Sequence, residues 1–463
     1  MSKGFWNEAR VTEALGLEGG DPSRPFSSIS TDTRAIGPGD LFVALKGDRF
    51  DGHAFLRGAA EAGAVAAVVS EEPADVPAGM TLYRVEDTLV GLGRIGAYRR
   101  RSLHARFVGV VGSNGKTTTK ELIRAVLRTR YRVHATTGNL NNQIGVPLTL
   151  LAMPEESEVG VIEMGTDRPG EVAALASIVR PDHVAITSIG EEHLELLGDL
   201  NGVLDEEISV LHDLPPTGKA FVAEEPDALP RRAREIVGRT RVKIAGLRPK
   251  ADLRPDGGER AIHVVEDGST VWTWRGLEVR LPIPGRFNVR NALLALGVGI
   301  ELGVPPEEAV RGLSTVRVPR FRGEWVQYGD LRVLADCYNA NPPSLAAVVD
   351  LLGSLPARGR RIAVLGTMRE LGPTSGQLHQ AAADRIAKLV GDRIDLVIGT
   401  GDFVPAFEKY RTRLGDQLIL AEDPVDAYSA VGPSLKPSDT ILLKGSRGVQ
   451  LERWLPLLER DFA

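Results

Sequence analysis

Hydrophobic and polar positions change period several times along this chain, and each change marks an element. From Phe107 to Val111 every residue is apolar or glycine, as a strand buried on both faces requires. A glycine-bearing turn follows. Apolar residues then recur at Leu122, Ile123, Val126 and Leu127, the spacing of a helix with one buried face. Similar runs predict strands over 108–112, 160–164 and 184–189, with a weaker one over 220–223. Between residues 261 and 283 the pattern changes, and Asp267-Gly268 within VVEDGSTVWTW predicts a hairpin turn. A helix over 289–302 comes next. Nearer the start, DLFVALKG reads as a strand, and GHAFLRGAAEAGAVAAVVS reads as helix then strand, with Gly63 as the helix stop. VEDTLVGLGRIGAYRRR reads as a helical linker. Beyond residue 316, IAVLG, LVIGTG, LILAE and TILLKG read as strands, each followed by a helical stretch such as QLHQAAADRIAKLV.

Alternation of strands and helices predicts an α/β protein with mostly parallel sheets. With 463 residues and a prior of about 150 per domain, three domains fit. We place them at 1–84, 85–315 and 316–463. The first is a small α/β unit. The central one is a mostly parallel, P-loop-type ATPase sheet with an antiparallel patch. The third is doubly wound and dinucleotide-binding-like, although it lacks a GxGxxG fingerprint. Charged residues at 25% and apolar residues at 43% are ordinary for a soluble globular protein. A net charge of -5 offers no basic face for nucleic acid. A single cysteine, Cys337, excludes an internal disulfide and fits a reducing compartment. The start, MSKGFWNEAR, has no apolar core of a signal peptide, and no apolar run approaches the ~18 residues of a membrane span. These features predict a cytoplasmic protein without integral membrane contact.

The most specific chemistry lies in GSNGKTTTKE, set between the strand and the helix. Gly112 and Gly115 let the backbone approach a ligand, and the N–H groups of Ser113, Asn114 and the helix start point at an anion. Lys116 then reaches the outer phosphates, the hydroxyl of Thr117 suits magnesium, and Thr118 continues the turn. The general phosphate-loop pattern asks for glycine at position 110, which is Val110 here. Even so, strand, Gly-Lys-Thr turn and helix together point to a nucleoside triphosphate.

Other polar residues sit where strands end, the edge at which open parallel sheets bind ligands. Glu163 closes GVIEMG, and His193 follows VAITSI through GEEHLE. Both could face a magnesium ion against a triphosphate; a solvated carboxylate and a helix-start histidine are the plain alternatives. Asn141 and Asn142 in GNLNNQIGVP suit a polar ligand or simply a connecting loop. The same choice applies to DCYNANPPS. Lys444 and Arg447 in LKGSRG flank an anion-binding type of turn, or an exposed basic one.

Taken in order, GSNGKTTTKE, TTGNLNNQIGVPLTLL, EMGTDRPGEV, HLE, GRFNVRNALLA, ADCYNANPPS and LKGSRG resemble the ATP-dependent Mur ligases of cell-wall synthesis. STDTRAIGPGDLFVALKGDRFDGHAFL is similar to that family's motif for a UDP-sugar substrate, so the resemblance runs from about Ser30 to Arg447. It implies an ATP- and Mg2+-dependent ligase that joins D-alanyl-D-alanine to a UDP-muramoyl tripeptide, acting as a monomer on small molecules. Lys116 and Thr117 would hold the triphosphate and a first magnesium, with Glu163 as a ligand and His193 serving a second. Asn291 would contact adenine, Arg322 the phosphates and Asp336 the ribose. Ser30, Asp32, Thr33 and Arg34 would line the uridine end. Asn141 and Asn142 would lie near the sugar and peptide, and Tyr338, Asn339, Asn341, Lys444 and Arg447 near the dipeptide.

Three departures from the family pattern stand out. GTMRELG has Thr367 where the family has aspartate, and Phe287 stands where a histidine is usual. Counting from HLE, the lysine that the family carbamylates falls on Glu207, and a nearby glutamate falls on Ser209. Glu207 is therefore expected to supply carboxylate oxygen to magnesium directly, against the alternative that Asp205, Glu206 and Glu207 form a solvated helix face. Three other readings compete. One is the preceding ligase, which adds a diamino acid but for which no DNPR-type motif is found. Another is a folylpolyglutamate synthase, in which the N-terminal segment has no place. The third is a nucleotide-binding relative without catalysis.

Overall fold

The apolar runs fold into four sheets, in a computed structural model that describes residues 4–47, 50–72, 76–356 and 358–463. Asp48 and Arg49, within the segment read as a UDP-sugar motif, lie outside the described residues. The first sheet is parallel and runs β1 (Ile29–Ser30), β2 (Leu41–Val43), β3 (Ala66–Val69) and β4 (Thr81–Arg84). Gly63 does end the preceding helix, Leu56–Ala62. It takes the left-handed conformation, φ 113°, and its N–H returns to the carbonyls of Ala59 and Ala60. The linker reads correctly as a helix, Thr88–Ser102, with Asp87 accepting from the N–H groups of Leu89 and Val90 at its start. The helix Glu8–Leu15 was not expected from the pattern.

The second sheet holds β5 (Arg106–Val111), β6 (Val133–Ala135), β7 (Val159–Glu163), β8 (His183–Ile186), β9 (Ala220–Ala223) and β10 (Val242–Ala245). Its order is β10-β9-β8-β5-β7-β6, all parallel. β6 and β7 lie on one side of β5, and β8 to β10 lie on the other. The strand order therefore reverses at β5, which is where open sheets form a ligand crevice. Register brings the ends together: Val110 pairs with Glu163 and Val111 with Ile186. The expected strand 184–189 stops at Ile186. Thr187 Oγ1 turns to the carbonyl of Asn114 (2.6 Å), and Ser188 O accepts from Ser113 N–H (2.9 Å). On one face of this sheet, helix Lys116–Leu127 packs against helix Phe287–Glu301 through Ile123, Val126, Leu293 and Leu296, all buried.

The antiparallel patch is a sheet of its own. It consists of β11 (His263–Val264), β12 (Thr270–Trp274) and β13 (Leu277–Leu281), with the expected turn at Asp267-Gly268. Gly268 has φ +81°, the conformation this turn residue was chosen for.

The last sheet comprises β14 (Glu324–Tyr328), β15 (Leu331–Asp336), β16 (Arg361–Leu365), β17 (Leu396–Gly399), β18 (Leu418–Leu420) and β19 (Thr440–Lys444). Its order is β14-β15-β19-β16-β17-β18, parallel except for β14. The doubly wound expectation holds with an antiparallel edge strand added. β19 inserts between β15 and β16, so Asp336 and Lys444 end side by side in register.

Candidate active site

The carboxyl ends of the second and fourth sheets face one cavity of about 1220 Å³. At its base is the loop 112–115. Gly112 (φ +120°) and Gly115 (φ +82°) cannot be replaced without collision. A Cβ on Gly112 would lie 2.4 Å from Thr187 Oγ1, and one on Gly115 would lie 2.8 Å from Asn291 Oδ1. The glycines thus serve close packing behind the loop as well as open space before it. Ser113 is tied to the β8 loop, with Gly190 N–H donating to its Oγ at 2.9 Å, and Asn114 N–H donates to Ser188 Oγ at 2.8 Å. The loop is held ready before any ligand arrives.

Lys116 leads helix Lys116–Leu127, and its Nζ donates to the Gly112 carbonyl at 2.5 Å. It also lies 3.4 Å from Glu192 Oε1. Burial works to lower its pKa, but the charges of Glu192, Glu207 and Glu163 outweigh that, and the net shift is upward. The ammonium stays charged amid three carboxylates. Glu163 is only 1% exposed, which disposes of a solvated loop carboxylate. Its Oε1 accepts from Thr117 Oγ1 (3.1 Å) and Asn141 Nδ2 (3.0 Å). Its Oε2 makes no hydrogen bond, and the nearest cation, Lys120 Nζ, is 3.9 Å away. A buried carboxylate oxygen without a donor, beside a threonine hydroxyl and facing the phosphate loop, fits a divalent cation. Among the described residues, no group of three or more His, Cys, Asp and Glu forms a cation site unaided. Phosphate oxygens would have to complete it.

Glu207 is buried, so the solvated helix face is excluded for it, but it does not line the cavity. Its Oε2 accepts the Gly112 N–H at 2.7 Å from behind the loop, leaving Oε1 unpartnered. Beside the expected supply of oxygen to magnesium, the geometry gives Glu207 a second role: this carboxylate supports the loop backbone. Burial, reinforced by Glu192 and opposed by Lys116, pushes its carboxyl up to about 7. Its neighbours divide the helix differently. Glu206 accepts from the N–H groups of Gly170 and Val172, whereas Asp205 pairs with Arg232 at the surface.

Glu192 was not singled out by the sequence, yet it lines the cavity and is 4% exposed. Burial raises its pKa against the opposing charge of Lys116. His193 starts helix Leu194–Leu197 with a left-handed backbone (φ 52°). Its Nε2 is 3.9 Å from Glu192 Oε2, and its Nδ1 is 2.7 Å from Glu370 Oε2. Burial would lower the imidazole pKa, but the adjoining Glu370 carboxylate and the Glu192 charge carry it upward overall.

Asn291 lines the cavity beside Gly115 and donates to Asn288 Oδ1 (2.9 Å), which makes Asn288 a further member of the expected adenine wall. Thr118 and Phe287 line the cavity too. From the fourth sheet come Arg322, whose guanidinium lies 3.9 Å over the Tyr338 ring, together with Asp336, Asn339 and Arg447. Lys444 also reaches this wall, but its Nζ is committed to Asp336 Oδ2 (2.8 Å) and the Asn339 carbonyl (2.7 Å). Asn341 is 2% exposed and does not line the cavity; its side chain accepts from Ser344 N–H in a capping box. It shapes the wall from within, as does Thr367, whose hydroxyl accepts from Asp402 N–H. Asn142 lines the cavity while its Oδ1 accepts from the N–H groups of Ile144 and Gly145.

The remaining expected residues are elsewhere. Ser30, Asp32, Thr33 and Arg34 gather at the end of β1 and do not line this cavity. Asp32 Oδ1 accepts from Arg34 N–H, and that hydrogen bonding with the guanidinium holds its carboxyl at about 2.

Three segments match family patterns: the Mur ligase family, catalytic domain over residues 25–100; the Mur ligase middle domain over 110–299; and the Mur ligase, glutamate ligase domain over 321–447. Among curated proteins, the chain is 36% identical to the UDP-N-acetylmuramoyl-tripeptide–D-alanyl-D-alanine ligase of Bacillus subtilis (strain 168), covering 92% of this chain and 91% of that one. Among solved structures, it superposes on MurF from Acinetobacter baumannii with a TM-score of 0.88 and 29% identity, over 98% and 99% of the two chains. MurF ligase from Thermotoga maritima in complex with ADP gives 0.81 and 26% identity, over 94% and 97%.

Proposed function

The chain belongs to the Mur ligase family, and from that premise we infer that it is an ATP-dependent ligase joining D-alanyl-D-alanine to UDP-N-acetylmuramoyl-tripeptide. The observation that carries this reading is the cavity itself, in which a phosphate loop from one domain faces the YNAN wall of another. A carboxylate is a poor electrophile, so its oxygen must first become a leaving group. Attack of that oxygen on the γ-phosphate of ATP releases ADP and gives an acyl phosphate, whose carbonyl carbon the dipeptide amine then attacks, releasing phosphate as the amide forms. Bringing carboxylate and triphosphate together costs about 4 kcal/mol per unit pair at 4 Å and an effective dielectric of 20. Lys116 offsets that repulsion and stabilises charge as the phosphoryl group moves.

Magnesium, when bound, supplies further positive charge against the triphosphate. The residues that would hold it are Thr117, Glu163, Glu192 and His193, while Glu207 keeps the loop backbone in place behind them. Asn288 and Asn291 would take the adenine, and Arg322 and Asp336 the phosphates and ribose. We assign residues 1–84, through Ser30, Asp32, Thr33 and Arg34, to the UDP sugar. Residues 85–315 take ATP and residues 316–463 take the dipeptide, with Tyr338, Asn339 and Arg447 at its cleft. Asn141 and Asn142 belong near the acceptor's sugar and peptide. The reading includes a monomer working in the cytoplasm, since one chain supplies both walls of the cavity and no described helix is long and apolar enough to cross a membrane. Phosphate release from ATP, followed with each substrate omitted in turn, tests catalysis. Release that requires both acceptor and dipeptide is expected; release indifferent to them would leave an ATPase without ligation, and no release would leave only a nucleotide binder.

A further inference from the structure

We propose that Glu370, on the third domain, is a positioning residue for His193, on the central domain, and aims the imidazole Nε2 into the phosphate cavity only when the two domains are docked. The inference rests on the ligase reading and names a contact that the reading does not require. Glu370 lines the cavity, and its Oε2 lies 2.7 Å from His193 Nδ1. The carboxylate is not in line for a hydrogen bond and Nδ1 has no such partner, so Glu370 restrains the Nδ1 edge of the ring by close contact and leaves Nε2 on the opposite edge. On the far side, Nε2 lies 3.9 Å from Glu192 Oε2, and Glu192 Oε1 lies 3.4 Å from Lys116 Nζ. A line of contacts therefore runs from the third domain through the imidazole to the lysine that meets the phosphates.

The docking that makes this contact is built into both partners. His193 (φ 52°) and Glu370 (φ 67°) are both non-glycine residues in left-handed conformations, which side chains adopt only when their surroundings hold them there. Glu195 N–H points at the Glu370 carbonyl (3.4 Å). Gly372, two residues on, approaches so closely that a Cβ would sit 2.9 Å from Glu195 Cα. Beside these, Leu194, Leu197 and Val203 of the central domain form an apolar cluster with Leu378 of the third. The helix that follows His193 is thus seated on the third domain by backbone, glycine and apolar side chains, and Glu370 projects from that seat onto the ring. Separation of the domains would free the imidazole to turn.

The test uses the full chain with saturating non-hydrolysable ATP analogue and Mn2+ as the probe, its free fraction read by electron paramagnetic resonance. Glu370→Ala should weaken Mn2+ binding about tenfold or more, as loss of a carboxylate behind a histidine ligand does. Glu370→Gln, which keeps the reach of the side chain to the ring edge, should stay within about threefold of wild type. In steady-state ligation, Glu370→Ala should lower kcat while KM for ATP stays near wild type. Wild-type Mn2+ affinity in Glu370→Ala, when His193→Ala loses it, would overturn the inference alone. Equal weakening in the Ala and Gln variants would overturn it as well, because the reach of the side chain to the ring would then not be the cause. If His193→Ala itself binds Mn2+ like wild type, the assignment of His193 to the metal fails and this inference falls with it.

Discussion

In the proposed mechanism, Lys116 is the side chain on which the chemistry turns. It keeps its proton because three buried carboxylates outweigh the cost of burying an ammonium. Lys116→Ala should reduce ligation by about a hundredfold or more, the usual cost of removing a stabiliser of transition-state charge, while the far-ultraviolet circular dichroism stays that of wild type. A folded variant retaining more than about a tenth of the activity would remove Lys116 from the mechanism. Glu207 makes the opposite case, a carboxyl pushed up from 4.5 to about 7 by burial. The fold favours its protonated form. Its contribution to stability is complete below pH 4.5 and is lost as pH rises through about 7. At about 1.4 kcal/mol per unit, the loss amounts to about 3 kcal/mol across that window. Glu207→Gln carries no charge and can still accept from Gly112 N–H. The denaturation midpoint of the nucleotide-free variant should therefore fall less than that of wild type between about pH 5 and about pH 8. Parallel pH profiles for the two proteins would show that this carboxyl does not titrate there.

At the scale of elements, the phosphate loop was legible because strand, turn and helix each carry a local signature: β5 is apolar or glycine from Phe107 to Val111, and Gly112 and Gly115 take positive φ. The Asp267-Gly268 turn and the Gly63 stop were legible for the same reason. The edge strands β6 and β14 were not. β14, in Glu324–Tyr328, is only half-buried and joins the sheet through its pairing with β15, which no local pattern records. β6 spans three half-buried residues, Val133–Ala135. In the site, Glu192 was hidden because a glutamate in GEEHLE looks solvated until the loop folds over Lys116. Lys444 looked like a free cation, yet its partner Asp336 lies more than a hundred residues away in sequence. That pair ties β15 to β19 and braces the YNAN loop. Lys444→Met should destabilise the protein by about 3 kcal/mol, since Asp336 is left without its cation. Lys444→Met combined with Asp336→Asn should recover much of that loss in urea denaturation; simple additivity would show that the two residues do not act as a pair.

At the scale of the molecule, the walls of the cavity belong to separate sheets, and each sheet presents strand ends to the same space. A reaction that holds an acyl phosphate needs water kept out, and docking of the third domain supplies that wall. The docking contacts, Glu370 with His193 and Gly372 against Glu195, join the two walls. Closure should therefore tighten when both ATP and the tripeptide acceptor are present. Small-angle scattering should then show the radius of gyration with both ligands no larger than with either alone. Expansion on adding the second ligand would contradict a closing third domain.

The central claim concerns which amine enters and which acceptor receives it. Purified enzyme with ATP and magnesium should be offered two pairs in parallel: UDP-N-acetylmuramoyl-tripeptide with D-alanyl-D-alanine, and UDP-N-acetylmuramoyl-dipeptide with a diamino acid. Product masses then report the bond formed. A condensation product, with stoichiometric phosphate, is expected from the first pair and none from the second. A product from the second pair alone would contradict that claim.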